Sequence, residues 1–147
     1  MSHSYAQNHI HLVFSTKDRQ KIIAKELQPR LWAYLAAICK HNDMLAFAVG
    51  GMEDHVHLLF RLPPTMTMAR AVTLLKSNSS KWIRERGTKF AWQQGYGAFS
   101  VSSSNVAAVI KYIDTQEAHH RKLTYEQEII ALLKKHGVQF DPKFVLG

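Results

Sequence analysis

The segment Gly50 to Phe60, GGMEDHVHLLF, sets His55 and His57 one residue apart, directly after the acids Glu53 and Asp54. Its valine, leucine and phenylalanine favour a pleated, half-buried strand. Side chains alternate along a strand, so His55, His57 and Leu59 share one face, and Val56, Leu58 and Phe60 the other. Two imidazoles about 7 Å apart on one face can reach a common metal ion or phosphate, or can simply line a solvated sheet. A second pair, His9 and His11, has the same spacing, and spacing does not choose between them. Imidazole suits zinc, copper, iron or nickel better than magnesium, and two histidines leave a site one protein ligand short.

A third ligand is available near the C-terminus. In SNVAAVIKYIDTQEAHHRK, at about 100° per residue, Tyr112 and Gln116 fall beside each other at the edge of the apolar stripe of Val106, Val109, Ile110 and Ile113. A tyrosine there ordinarily packs at a core boundary. The chemical alternative is a nucleophile with a metal ligand one turn behind it. Spacing alone favours the packing role.

These residues need a frame. NHIHLVFST alternates as a strand, with Ile10, Leu12 and Phe14 opposite His9, His11 and Val13. AKELQPRLWAYLAAICKHN predicts a helix striped by Leu31, Leu35 and Ile38, with Pro29 in its first turn. MLAFAVGGMEDHVHLLFRL predicts two strands joined by a glycine-containing turn, which Glu53 and Asp54 would close. TMARAVTLLKSNSSKWIRER predicts a helix that stops near Gly87, with Val72, Leu75 and Trp82 buried. A glycine-broken strand, FAWQQGYGAFSVS, follows. A third helix would be capped by Ser104 or Asn105, and a fourth, TYEQEIIALLKKHG, by Thr124 with Gln127 three residues on. The order is βαββαβ: an α+β, ferredoxin-like antiparallel sheet with C-terminal helices. Helices should cover one face of such a sheet and leave the histidine face open.

Composition narrows the class. The 147 residues suit one domain, and 46% hydrophobic with 20% charged residues is an ordinary globular balance. No apolar run approaches a membrane span and no signal-peptide core opens the chain, so the expected location is cytoplasmic, with no membrane partner. The lone Cys39 excludes an intrachain disulfide and a cysteine-based zinc site. A net charge of +8, from 19 Lys and Arg against 11 Asp and Glu, favours polyanionic partners. On the second helix Arg70, Ser77, Lys81 and Arg84 lie opposite the buried face, where they could track phosphates or only solvate the helix. Lys17, Arg19 and Lys21 after the first strand are similar in kind.

The ordered set EDHVHLLF, WQQGYGAFSVS and YIDTQEAHHRK resembles the HUH-type single-tyrosine transposases of minimal bacterial insertion sequences. The likeness runs from HLVFSTKDRQ through LLKKHGVQFDPKFV, so 1–147 reads as a single HUH transposase domain. The resemblance implies that Tyr112 is the nucleophile and that His55, His57 and Gln116 hold a divalent metal, while His9 and His11 match nothing catalytic. Magnesium is expected from cellular abundance; manganese suits two imidazoles better. The implied reaction is cleavage and rejoining of single-stranded DNA bearing a hairpin, through a 5′-phosphotyrosine. The implied assembly is a homodimer with composite sites, each joining His55 and His57 of one chain to Tyr112 and Gln116 of the other. The rival readings are a domesticated, non-cutting nucleic-acid-binding regulator, a metal-dependent nuclease that uses water, and a ferredoxin-like interaction module. Glu53 and Asp54 fit a turn better than general-base catalysis, and Lys111, His119, His120 and Arg121 have no distinguishable roles.

Overall fold

The computed structural model describes residues 5–142, so the last residues of the segment LLKKHGVQFDPKFV lie outside it. Four strands form one antiparallel sheet: β1 (Asn8–Ser15), β2 (Leu45–Gly51), β3 (His55–Leu62) and β4 (Gly97–Val101), in the spatial order β2-β3-β1-β4. This is the ferredoxin-like order. Helix α1 (Gln28–His41) joins β1 to β2, and α2 (Met68–Arg84) joins β3 to β4. Helices α3 (Val106–Asp114), α4 (Gln116–His119) and α5 (Tyr125–Lys135) follow β4.

Strand alternation distributes the side chains as expected. Leu12, Phe14, Val56, Leu58 and Phe60 are buried in one cluster with Leu31, Leu35 and Ile38 of α1 and Val72, Leu75 and Ile83 of α2. Each such side chain contributes about 1.5–3 kcal/mol by leaving water. Thr67 caps α2 by accepting from the Arg70 backbone N–H, and the chain turns away at Gly87, whose φ of 87° suits glycine. Trp82 departs from expectation. It lies half-buried, stacked on Tyr34 and covered by the Arg86 guanidinium 3.6 Å from its ring, and Ile83 takes the core position. The cation and the ring partner at the rim offset part of what full burial of this amphipathic ring would give.

The opposite sheet face is not open, which corrects the simplest reading of the pattern. Val13 and Phe99 pack there beneath Tyr125 and Ile129 of α5, and α3 crosses β2 and β3. Close approach is possible because β2 ends in glycine: a Cβ on Gly50 would lie 2.7 Å from the Ile113 carbonyl oxygen. Two boundaries also differ. The third helix is interrupted at Thr115, whose φ of −112° and ψ of 27° are not helical, so α3 and α4 are separate. Asn105 stands at the N-cap of α3, but its side chain makes no capping bond. The strand expected across FAWQQGYGAFSVS reduces to β4, while Trp92 forms an isolated bridge to Thr16 and packs edge-to-face on Phe14 of β1. The fourth helix begins as expected, with Thr124 and Gln127 forming a reciprocal capping box.

Candidate active site

β1 and β3 are hydrogen-bonded neighbours, with Val13 opposite His57 and Ser15 opposite His55. That pairing puts His11 on the same face as the His55–His57 pair. His11 Nε2 lies 2.8 Å from His57 Nδ1, one ring donating to the other. On the far side of the pair, His55 Nδ1 donates to Asp54 Oδ1 at 2.7 Å. Both Nδ1 atoms are thereby engaged, and both Nε2 atoms turn toward the helices.

There they meet a residue that the sequence reading did not single out. Glu128 of α5 is buried, with Oε1 lying 3.1 Å from His57 Nε2, 3.3 Å from His55 Nε2 and 2.9 Å from His120 Nε2. Its Oε2 accepts from the Tyr112 phenol and, at 3.1 Å, from Gln116 Nε2. Gln116 Oε1 in turn accepts from His55 Nε2 at 3.0 Å and His120 Nε2 at 3.1 Å. One carboxylate therefore links the histidine pair, the glutamine and the tyrosine. Tyr112 and Gln116, separated by the break at Thr115, still converge on this point. The signal for Glu128 was present: Tyr125, Glu128, Ile129 and Leu132 follow helical spacing, so an acid sits on the apolar stripe of α5.

Burial and charge set the protonation states. Burial alone would lower the His55 pKa, but the hydrogen bonds to Asp54 and Glu128 outweigh it and raise it to about 9. Burial lowers His57, and burial with the neighbouring His57 pushes His11 down to about 3. Burial would raise Glu128, yet the imidazoles of His120, His55 and His57 hold it well below the carboxylate range. Burial, then the Glu128 carboxylate, raises the Tyr112 phenol above its ordinary value. As it stands, the cluster holds tyrosine neutral.

The donor set fits a divalent cation. Ligand atoms of His55, His57 and Glu128 all lie within 4.8 Å of one another, and Gln116 Oε1 adds a neutral oxygen beside them. Asp54 and His11 hold the opposite ring nitrogens, the arrangement that orients metal-binding histidines.

The other candidates stand apart from this cluster. Arg70, Ser77, Lys81 and Arg84 are exposed along α2. Ser77 and Arg84 border an open groove of about 550 Å³ between α2 and the segment Ala91–Tyr96, where Lys76 Nζ donates to the Gln93 and Gly95 carbonyls. Lys17 and Arg19 lie on a short turn after β1 that is anchored to the same segment, with Lys17 N–H donating to the Ala91 carbonyl. Lys17 is exposed and Arg19 half-buried. His9 packs edge-to-face with Phe47, ring centroids 5.4 Å apart.

Comparison with known families decides the kinship. Residues 4–116 match the family described as "Transposase IS200 like". The chain belongs to this family. It is 27% identical over 115 residues to the transposase for insertion sequence element IS200 of Salmonella typhimurium, covering 72% of this chain and 74% of that one. It is 28% identical over 115 residues to the ISDra2 transposase of Deinococcus radiodurans, covering 72% of this chain and 81% of that one. The fold resembles a crystal structure of a candidate transposase from Deinococcus radiodurans R1, with a TM-score of 0.63 at 24% identity over 79% of this chain and 95% of that one. It also resembles a tyrosine transposase associated with REP sequences, bound to a REP hairpin, with a TM-score of 0.60 at 14% identity over 82% of this chain and 73% of that one. At these identities the structural likenesses bear on fold alone. The matched region includes His55, His57, Tyr112 and Gln116 and stops short of Glu128. Glu128 therefore lies outside the matched residues. Among the described residues, no helix is long and apolar enough to cross a membrane.

Proposed function

We propose that this IS200-like transposase cleaves and rejoins single-stranded DNA with Tyr112 as nucleophile, and that residues 1–147 act as one HUH domain. The carrying observation is the convergence of Tyr112, Gln116, His55 and His57 on a single buried carboxylate. His55, His57 and Gln116 would hold a divalent cation, Mg2+ or Mn2+, with Glu128 as a neighbouring oxygen donor. When bound, such an ion supplies positive charge to the scissile phosphate and its transition state.

The chain's own residues supply the rest. Tyr112 Oη forms the bond to phosphorus, the P–O3′ bond breaks, and a 3′-hydroxyl leaves while a 5′-phosphotyrosine remains. Glu128 Oε2 already accepts the phenol hydrogen bond and would orient the phenol; the phenol proton passes to solvent and the departing O3′ takes one up, so the step is proton-neutral. Asp54 and His11 keep the histidine pair oriented. Rejoining reverses the first step with a different 3′-hydroxyl, so bond energy is retained in the phosphotyrosine.

Arg70, Ser77, Lys81 and Arg84 on α2, with Lys17 and Arg19 on the turn after β1, would carry DNA phosphates. Between Met68 and Tyr96 the cations Arg70, Lys76, Lys81, Arg84, Arg86 and Lys89 face a single acid, Glu85. DNA with a hairpin is the partner this reading favours; one relative of similar fold is bound to such a hairpin. The contacts among Tyr112, Gln116 and the histidine pair form within one chain, so a composite site is not needed to assemble them. A homodimer that exchanges α3 to α5 would reuse the same contacts between two copies. Mixing Tyr112→Phe with His57→Ala separates the cases: cleavage recovers only if sites are shared between chains.

The test of the chemistry is a denaturing gel. With single-stranded DNA and Mg2+ or Mn2+, the wild type should yield a DNA-linked band, and Tyr112→Phe should bind DNA without forming it. Cleavage that persists in Tyr112→Phe would replace tyrosine with water as the nucleophile.

A further inference from the structure

A cavity of about 320 Å³ opens beside Tyr112, on the side away from His120 and Asp54. Its walls come from four elements: His11 of β1, Ser100 and Val101 of β4, Ala108 and Tyr112 of α3, and Leu132 and Lys135 of α5, with His136 closing the end. The volume falls at the lower end of the range for small-ligand sites, about 300–1,000 Å³. Three features narrow its occupant. Apolar surface from Val101, Ala108 and Leu132 meets two flat rings, Tyr112 and His136, the latter stacked on Phe99 at 4.5 Å. Among the described residues the bordering ionisable groups are cationic or neutral, with Lys135 contributing an ammonium and no acid lining the space. Asn105 lies at the rim and its side chain makes no capping bond, leaving an amide for hydrogen bonding.

We propose that this cavity binds one nucleoside of the DNA strand, adjacent to the scissile phosphate, with its base among Tyr112, His136 and Leu132 and its phosphate toward Lys135. The proposal rests on Tyr112 being the nucleophile. It adds that α5 and the residue after it form a base-holding wall that registers the strand on the reactive oxygen. Flat apolar space lined by rings accepts any base through its π-face, and an ammonium at the edge suits the backbone. Because Tyr112 is both wall and nucleophile, a base seated here places its own phosphodiester next to the phenol.

Photo-cross-linking tests occupancy without requiring cleavage. A randomised single-stranded oligonucleotide carrying a central 5-iododeoxyuridine should cross-link to peptides containing Tyr112 or His136. Ala108→Trp, which fills the cavity from the exposed side of α3, should abolish that cross-link while thermal stability and Mn2+ affinity stay at wild-type values. Cross-links confined to α2, or unchanged in a folded Ala108→Trp, would overturn the proposal. Abasic scanning of an oligonucleotide that the wild type cleaves is the second arm. One position beside the scissile phosphate should lose about tenfold or more in adduct formation, and Ala108→Trp should lose that sensitivity. An abasic scan without such a position would overturn the proposal even if Ala108→Trp does not fold. Failure of the wild type to form any adduct would instead strike the tyrosine chemistry, which the cross-link readout does not use.

Discussion

Glu128→Gln is the most informative single change because it keeps the shape of the side chain and removes its charge. In the metal-free protein the carboxylate accepts from three imidazoles, an amide and a phenol. A glutamine whose oxygen replaces Oε1 can still accept from the imidazoles. Its amide nitrogen then faces the Gln116 Nε2 donor, and that bond is lost. The second loss is the charge-assisted contact with His55, whose proton the fold retains to about pH 9. A hydrogen bond to a charged group is worth about 1.5–3 kcal/mol and an unsatisfied buried donor costs about 1–3 kcal/mol. Turning of the Tyr112 hydroxyl recovers part of this, so the expected net loss is about 3 kcal/mol. For a chain of this size that lowers Tm by roughly 10 °C. Urea titration and calorimetry at pH 7 in chelator measure it, with Glu126→Gln, exposed on the same helix, as the control. NMR titration of His55 gives an independent readout, and its pKa should fall toward the ordinary 6.5. A Glu128→Gln protein with wild-type Tm and an unmoved His55 titration would refute the central place given to this carboxylate.

Three further outcomes are expected. His57→Ala should abolish metal-dependent cleavage and Mn2+ binding measured by calorimetry, while His11→Ala, which removes only the ring that orients His57, should weaken Mn2+ binding about 10–100-fold and leave cleavage detectable at saturating metal. Metal-free stability, followed by urea unfolding, should peak near neutral pH. The raised His55 gives stabilisation that is full below about pH 6.5 and lost as pH rises through about 9. The lowered His11 works oppositely, with stability falling as pH drops below 6.5 toward 3, and a monotonic profile across pH 5–9 would contradict this. Arg84→Ala with Lys81→Ala should weaken single-stranded DNA binding and flatten its dependence on salt by about one to two counterions, measured by fluorescence anisotropy, without moving Tm by more than about 0.5 kcal/mol equivalent.

Sequence alone determined what depends on local periodicity. Alternation in β1 and β3 separated Leu12, Phe14, Val56, Leu58 and Phe60 from the histidines, and the structure buries those five against α1 and α2. Thr124 and Gln127 marked the start of α5 because a capping box needs only residues within one turn. The ordered histidine, glycine and tyrosine segments pointed to the IS200-like family that the family match shows. Tertiary structure decided what depends on partners distant in the chain. Trp82 left the core for a surface stack with Tyr34 and Arg86, which helical periodicity does not encode. The sheet face carrying His55 and His57 reads as open from element order, yet α3 to α5 fold back over it, and Gly50 lets α3 approach. Nothing in the spacing of His9, His11, His55 and His57 ranks the pairs. The β1–β3 register brings the two pairs together, setting His11 beside His57. Glu128 is 71 residues from His57 in sequence, and only the docking of α5 brings its carboxylate to the imidazole. A period of two or 3.6 records which way a side chain faces; what it meets is fixed when separate elements pack together.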